Sequence, residues 1–239
     1  MQAVILAGGL GTRLHPITET IPKPMVNISG RPFLEYIIEL LKKNDITEIL
    51  ILTGHLGDAI EQYFGDGSEF GVNINYSKET KPLGVSGALC LAYPKLADSF
   101  LLLYGDNFIL LNFKDLVRFY KQSKKQAAAV SYQYKDEKDR GDDYRYNLCV
   151  DEMGHVTQYQ QRGVQGATHV EAGVMVLRKE VIANLPQKHS NALGEVLFPD
   201  LIQQKELITY VSKNRFYDIG TPERLKKAEA FFRAMEVKK

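Results

Sequence analysis

Short apolar runs alternate with stretches of helical periodicity through the first half of the chain. Residues 2–7, unbroken apolar from Ala3 onward, stop at Gly8-Gly9, the pattern of a buried parallel strand entering a tight loop. Phe33, Leu34, Ile37, Ile38, Leu40 and Leu41 recur at helical spacing behind Arg31-Pro32, which supplies the proline favoured at a helix start. Residues 48–53 predict a second strand, stopped by Gly54. Asp58 is expected to cap a short helix through Phe64, and residues 73–76 give a third strand. Residues 84–93 read as a helix on their small and apolar side chains, and 100–104 as a fourth strand ending at Gly105-Asp106. Residues 113–125 predict an amphipathic helix with Phe113, Leu116, Val117 and Tyr120 on one face.

Strands that alternate with helices imply an α/β fold, a mostly parallel sheet with helices on both faces. The second half is strand-rich: 127–134, 147–151, 156–161 and 170–177 all read as strands. Glu152-Met153-Gly154 is a hairpin turn between two of them. A last helix starts at Thr221-Pro222-Glu223 and runs to about Ala234. No repeat, low-complexity linker or composition break divides the chain. It reads as one domain, 1–239, with a first half of about 1–126, a second half of about 127–221 forming a subdomain, and a C-terminal helix over 222–236.

Composition narrows the function without naming it. The 239 residues are 44% hydrophobic and 25% charged, which excludes a disordered or fibrous chain. Thirty Lys and Arg face 29 Asp and Glu, a net charge of +1, so no global field recruits nucleic acid or an anionic membrane. The apolar runs are strand-sized, far short of a membrane span. Met1-Gln2 leads straight into the first of them, with no basic segment or cleavage site, so no signal peptide is expected. Cys90 and Cys149 are too few for a disulfide scaffold or a cysteine zinc site, and read as small buried residues in a reducing cytoplasm.

The chemistry begins at Leu6-Ala7-Gly8-Gly9-Leu10-Gly11-Thr12-Arg13-Leu14, followed by Pro22-Lys23-Pro24. Glycines directly after a buried strand let backbone N–H groups approach a ligand and aim at anionic oxygens. The Walker spacing is absent, and a dinucleotide fingerprint would need a glycine at Leu14 and an acidic residue near Thr53-Gly54-His55. What remains is a glycine loop with one cation, Arg13, and a second, Lys23, pinned between prolines. Two held cations beside backbone donors suit a reaction in which charge builds on phosphate oxygens. A plain glycine turn with a solvated Arg13 would also satisfy the loop; the prolines around Lys23 weigh against that.

Two carboxylates each follow an apolar strand. Asp106 stands in Leu103-Tyr104-Gly105-Asp106-Asn107, and Asp218 in Phe216-Tyr217-Asp218-Ile219-Gly220. Either alone could be a turn former or a helix cap. Open α/β sheets bind ligands beyond the carboxyl ends of their strands, and paired carboxylates beside phosphates are a usual way to hold Mg²⁺.

Leu-Ala-Gly-Gly-x-Gly-Thr-Arg-Leu with Pro-Lys-Pro, then Pro82-Leu83-Gly84-x-Ser86-Gly87-Ala88, Gly105-Asp106, and Asp218-Ile219-Gly220-Thr221-Pro222 resemble the sugar-1-phosphate nucleotidyltransferase family. The motifs stand in family order from Met1 to about Ala234. The resemblance implies a Rossmann-like mixed, mostly parallel sheet with a sugar-binding subdomain, the nucleotide-diphospho-sugar transferase type of fold. The first half would then bind the nucleotide and the second the acceptor. It also implies the reaction: a sugar 1-phosphate and a nucleoside triphosphate give a nucleotide-sugar and pyrophosphate.

By position, Leu6, Ala7, Gly8, Gly9, Gly11, Thr12 and Arg13 would hold the nucleotide. Glu79, Pro82, Leu83, Gly84 and Ser86 would line the base pocket. Arg13, Lys23 and Asp106 would be catalytic, and Asp106 and Asp218 would bind Mg²⁺. The sugar-phosphate oxygen attacks in line, so no protein nucleophile is needed. The acceptor side departs from the family, with Gln160-Gln161-Arg162-Gly163 where many relatives have Glu-Lys-Pro, and Glu171-Ala172-Gly173 where many have Asn-Ala-Gly or Asn-Gly-Gly. Asn147, Arg162, Glu171 and Gly173 are the expected sugar contacts, with Arg162 replacing a lysine at the sugar phosphate and both Arg162 and Glu171 on strands. The charge-dense segment 135–145 reads as a solvated loop that could fold over an acceptor.

Pro32-Phe33-Leu34-Glu35-Tyr36 after the Pro-Lys-Pro loop leans toward bacterial heptose-1-phosphate or mannose-1-phosphate guanylyltransferases, acting in the cytoplasm on precursors of surface polysaccharide. Uridylyl, thymidylyl and cytidylyl transfer to another phosphorylated acceptor stay open, as does a homo-oligomeric state. A catalytically inactive nucleotide-binding module would be expected to lack Arg13, Lys23 or one of the aspartates, and all four are present.

Overall fold

The apolar run after Met1 becomes β1 (Gln2–Leu6), whose centre, Ala3, Val4 and Ile5, is fully buried. The computed structural model describes residues 1–134, 146–183, 185 and 193–236, so the charged segment 135–145 lies outside the described residues. Along the chain there follow β2 (Asn27–Ile28), β3 (Arg31–Pro32), β4 (Glu48–Thr53), β5 (Asn73–Lys78), β6 (Ser99–Tyr104) and β7 (Asn107–Ile109). The second half adds β8 (Ala127–Tyr132), β9 (Leu148–Val150), β10 (Val156–Tyr159), β11 (Val170–Arg178), β12 (Leu207–Ser212) and β13 (Phe216–Asp218).

The main sheet has seven strands in the order β12-β8-β11-β6-β1-β4-β5. β1 pairs parallel with β4, β4 with β5, and β12 with β8, while β11 runs antiparallel to β8. Helices interleaved with these strands make it the α/β, Rossmann-like, mostly parallel fold that the alternation and the motifs imply. Short ribbons β9–β10 and β7–β13 stand apart from it.

The chain gathers into two compact units that interleave in sequence. One comprises Met1–Pro82, Leu103–Phe108 and Phe216–Lys239; the other comprises Leu83–Leu102 and Ile109–Arg215. In the first unit the helix Phe33–Lys43 starts directly after Pro32 and buries Phe33, Leu34, Ile37, Ile38 and Leu41. It ends on Lys42 and Lys43, where the negative end of the helix dipole favours cations. The C-terminal helix Pro222–Glu236 is anchored by Phe232, which is fully buried with ring centroids 5.9 Å from Phe33, 4.1 Å from Tyr36 and 4.9 Å from Phe108. That aromatic cluster anchors the helix toward its C-terminal end, and Tyr217, stacked on Phe231 with centroids 4.1 Å apart, ties the Asp218 segment to it.

In the second unit Asn112 caps the helix Phe113–Ser123, its side-chain oxygen accepting from the N–H groups of Lys114 (3.0 Å) and Asp115 (3.3 Å). Along β8, Ala127 to Tyr132 are all buried. Inside this apolar layer the Thr209 hydroxyl donates to the Ala129 carbonyl at 3.1 Å and lies 2.7 Å from the Ser131 hydroxyl.

Two expectations need correction. Asp58 does not cap its helix: Leu56, in a left-handed conformation, precedes the helix Gly57–Phe64, and Asp58 lies in its first turn. The strand read over 156–161 stops at Tyr159, so Arg162 sits on an exposed turn closed by the Gly163 N–H donating to the Gln160 carbonyl at 2.9 Å. The sequence reading also passed over the helix Leu193–Gln203, which carries Pro199 inside it, and the strand β12.

Candidate active site

Within the first unit, three strand ends converge on the glycine loop. The Ala7 N–H donates to the Leu52 carbonyl at 2.9 Å, joining the exits of β1 and β4. The Glu79 N–H donates to the Thr53 carbonyl at 3.0 Å at the exit of β5. The Glu79 carboxylate then lies so close that a Cβ on Gly54 would sit 2.7 Å from Oε1, and one on Gly8 3.2 Å. Gly54 is thus as much a loop glycine as Gly8, and Glu79 faces both. Gly11 has φ of +67°, a left-handed conformation suited to glycine, and opens a short 3-10 turn over Thr12–Leu14. The Thr18 hydroxyl donates to the Gly11 carbonyl at 2.8 Å and fixes the far side of the loop. Gly9 and Arg13 are exposed.

Asp106 is tied to this loop by its own backbone. The Gly105 N–H donates to the Leu6 carbonyl at 2.9 Å, and a Cβ on Gly105 would lie 3.2 Å from the Pro24 ring. Lys23, held between its two prolines, forms an ion pair with Asp106. The Ile219 N–H donates to the Asp106 carbonyl at 3.1 Å, so the peptide groups that carry the two aspartates are bonded to each other.

Asp218 is buried, and its carboxylate is held twice. The Gly220 N–H donates to Oδ1 at 2.7 Å, and the Arg224 guanidinium lies 3.4 Å from Oδ1 and 3.3 Å from Oδ2. A Cβ on Gly220 would lie 3.4 Å from Nη2 of Arg13, which places that guanidinium beside the same turn. Glycine loop, Arg13, Lys23, Asp106 and Asp218 therefore belong to one compact unit. Pro82, exposed, ends that unit's first segment.

In the second unit Gly84, with φ of +69°, opens the helix Gly84–Ala92, and Leu83 packs where a Cβ on Gly87 would fall. Ser86 is fully buried, its hydroxyl without a hydrogen-bond partner.

In the same unit, three of the expected sugar contacts meet. The Glu171 N–H donates to Oδ1 of the buried Asn147 at 2.8 Å, and the Gly173 N–H donates to the Glu171 carboxylate at 2.6 Å. Gly173 has φ of +77° and sits where the β11–β8 register shifts, a bulge that turns the strand back onto the Glu171 side chain. Burial pushes the Glu171 carboxyl up to about 7, against the opposing pull of the Gly173 and Val174 N–H groups.

Tyr159 and Glu195, which sequence reading missed, belong to the same surroundings. Burial first, then the charges of Glu171 and Glu195, push the Tyr159 phenol above its ordinary range. Its ring packs edge-on against Phe198 and fills the space where a Cβ on Gly194 would fall. Arg162, on its exposed turn, lies in the second half of the chain but not on a strand.

Among the described residues, no group of three or more His, Cys, Asp or Glu side chains could hold a metal ion, and no helix is long and apolar enough to cross a membrane.

The chain belongs to the nucleotidyl transferase family, whose model matches residues 2–234. It is 30% identical over 230 residues to the D-glycero-alpha-D-manno-heptose 1-phosphate guanylyltransferase of Aneurinibacillus thermoaerophilus, covering 96% of this chain and 97% of that one. It is also 34% identical over 218 residues to the UTP–glucose-1-phosphate uridylyltransferase of Synechocystis. There the match takes in 84% of this chain but only 55% of the relative's length. Among solved structures, HddC from Yersinia pseudotuberculosis superposes with a TM-score of 0.79 at 30% identity, covering 97% of this chain and 99% of that chain. A second structure of HddC, complexed with GMP-PN, gives a TM-score of 0.77.

Proposed function

We propose that the protein transfers a nucleotidyl group from a nucleoside triphosphate to a sugar 1-phosphate and releases pyrophosphate. The observation that carries this reading is the Ile219–Asp106 hydrogen bond, which joins two carboxylate-bearing segments in the same unit as the glycine loop and its two cations. In this reading the loop N–H groups and Arg13 hold the triphosphate. Arg13 meets the charge that grows on the α-phosphate and on the departing pyrophosphate. Lys23 exchanges its Asp106 partner for phosphate oxygens when substrates arrive. Glu79, which faces Gly8 and Gly54, borders the base from the same unit. The sugar-phosphate oxygen is the nucleophile, so the protein supplies position and fixed charge rather than a covalent intermediate.

Mg²⁺ fits the donor set. A small hard cation that keeps waters and phosphate oxygens as ligands needs only one or two carboxylates, and Asp106 and Asp218 are those two. The chemistry it supplies when bound is charge neutralisation on the phosphates.

On the acceptor side, Asn147, Glu171 and Gly173 form the sugar-reading wall, and Arg162 reaches the sugar phosphate from its turn. The heptose and mannose guanylyltransferases among the relatives support GTP with a heptose or mannose 1-phosphate as the substrate pair, and the low-salt glycan biosynthesis nucleotidyltransferase of Haloferax volcanii supports a place in glycan synthesis. The test is a pyrophosphate-release screen of the four ribonucleoside triphosphates and dTTP against a panel of sugar 1-phosphates. Release that requires GTP and a manno-configured sugar phosphate supports the full reading. Release with another pair keeps the reaction and replaces the substrates. No release with any pair overturns it.

A further inference from the structure

Each aspartate of the site is met by a cation of its own, Lys23 on Asp106 and Arg224 on Asp218. The family motifs account for Lys23. Arg224 stands outside them, and its position runs against local electrostatics. It is the third residue of the helix Pro222–Glu236, where the positive end of the helix dipole disfavours a cation. Its main-chain N–H lies 3.4 Å from the Thr221 hydroxyl oxygen that caps the helix, and its guanidinium turns to both oxygens of Asp218. The two side chains are only 16% and 8% exposed, so water screens the pair little.

The charges then cancel. Asp106 and Asp218 bring two negative charges, Lys23 and Arg224 two positive ones, and Arg13 beside Gly220 adds a further positive charge. A free divalent cation approaching these groups meets no net negative charge, whereas one carried on a triphosphate brings its own counter-charge. The geometry also limits the carboxylate. With the Gly220 N–H and Arg224 on Oδ1 and Arg224 on Oδ2, the plane of Asp218 is fixed.

We propose that Arg224 is a positioning residue of the site: it fixes the Asp218 carboxylate and cancels its charge, so that a divalent cation is retained only together with nucleotide phosphates. This rests on the reading that Asp218 is a metal ligand.

The experiment measures Mn²⁺ binding by electron paramagnetic resonance, with and without GTP, in the wild type and in Arg224→Met, Arg224→Lys, Asp218→Asn and Arg224→Met/Asp218→Asn. Thermal melts confirm that each variant is folded. Without nucleotide, Arg224→Met should bind Mn²⁺ at least about tenfold more tightly than the wild type, because a unit charge beside the carboxylate is gone. The double variant should lose that gain, and Arg224→Lys should restore weak binding. If Arg224→Met binds free Mn²⁺ as weakly as the wild type, or keeps its gain without Asp218, the role given to Arg224 is wrong. If Asp218→Asn retains the full nucleotide-dependent Mn²⁺ signal, the metal-ligand reading itself falls, and the Arg224 role with it.

Discussion

Ile219 and Asp106, 113 positions apart in sequence, share a backbone hydrogen bond of 3.1 Å that links the end of β13 to the turn after β6. Because the bond is main chain to main chain, it fixes where both aspartates leave the backbone whatever their side chains do. Substitution of either carboxylate should therefore alter chemistry without unfolding the unit, which makes the site testable by mutation.

Gly220→Ala probes the Asp218 turn. The backbone there is open to any L-residue, but the added methyl would lie 2.7 Å from Oδ1 of Asp218, whose position is set by the Gly220 N–H. The carboxylate must rotate away. The expected result is a fall in kcat of about 10-fold or more with little change in melting temperature, since a misplaced charged group costs rate before it costs stability. Wild-type kinetics in Gly220→Ala would mean that the orientation of Asp218 is unimportant.

Arg13 and Lys23 should separate kinetically. Arg13 is exposed, and its proposed partner is charge that develops during reaction. Arg13→Ala should therefore lower kcat by about 10²–10³-fold. Lys23 already holds Asp106, so Lys23→Ala should raise the nucleotide KM as well as lower kcat. Steady-state kinetics of the two variants checks the division. Equal, purely KM effects in both would contradict it.

Glu171 gives a pH signature. Its folded-state pKa of about 7 lies above the ordinary carboxylate value of 4.5 because burial disfavours the charge. Between those values the folded protein binds more protons than the unfolded chain, so this group's contribution to stability falls as pH rises from about 4.5 through 7 and then levels off. Thermal melts of Glu171→Gln should gain on the wild type steadily from pH 5 to pH 8. In kinetics the same variant should raise KM for the sugar phosphate and relax sugar choice, with nucleotide KM nearly unchanged. A pH-independent difference in melting temperature would remove the buried-carboxyl account.

Much of the fold was legible because its strands are short unbroken apolar runs ended by glycine, as at Gly8, Gly54 and Gly105. The helix Leu193–Gln203 was hidden by Gly194 at its start and Pro199 inside it, both of which read locally as breakers. Tertiary packing of Leu193, Leu197, Phe198 and Leu201 overrides them. The Asp58 expectation failed because the chain enters that helix through a left-handed Leu56, which no propensity favours.

At the site, the motifs exposed the loop, both cations and both carboxylates. The Gly54–Glu79 contact was not visible, since only the pairing of β4 with β5 brings those residues together. Arg224 did leave a signal: a cation in the first turn of a helix asks for a local anion, and Asp218 lies six residues before it.

The most direct measurement is pyrophosphate release with Mg²⁺, GTP and a sugar 1-phosphate panel by the wild type, Asp106→Asn and Asp218→Asn. The account predicts release by the wild type that depends on the sugar phosphate, and a loss of more than about 10³-fold in each variant, with thermal melts showing each variant folded at the assay temperature. Release that needs no sugar phosphate, or near-wild-type rates in both variants, would contradict it.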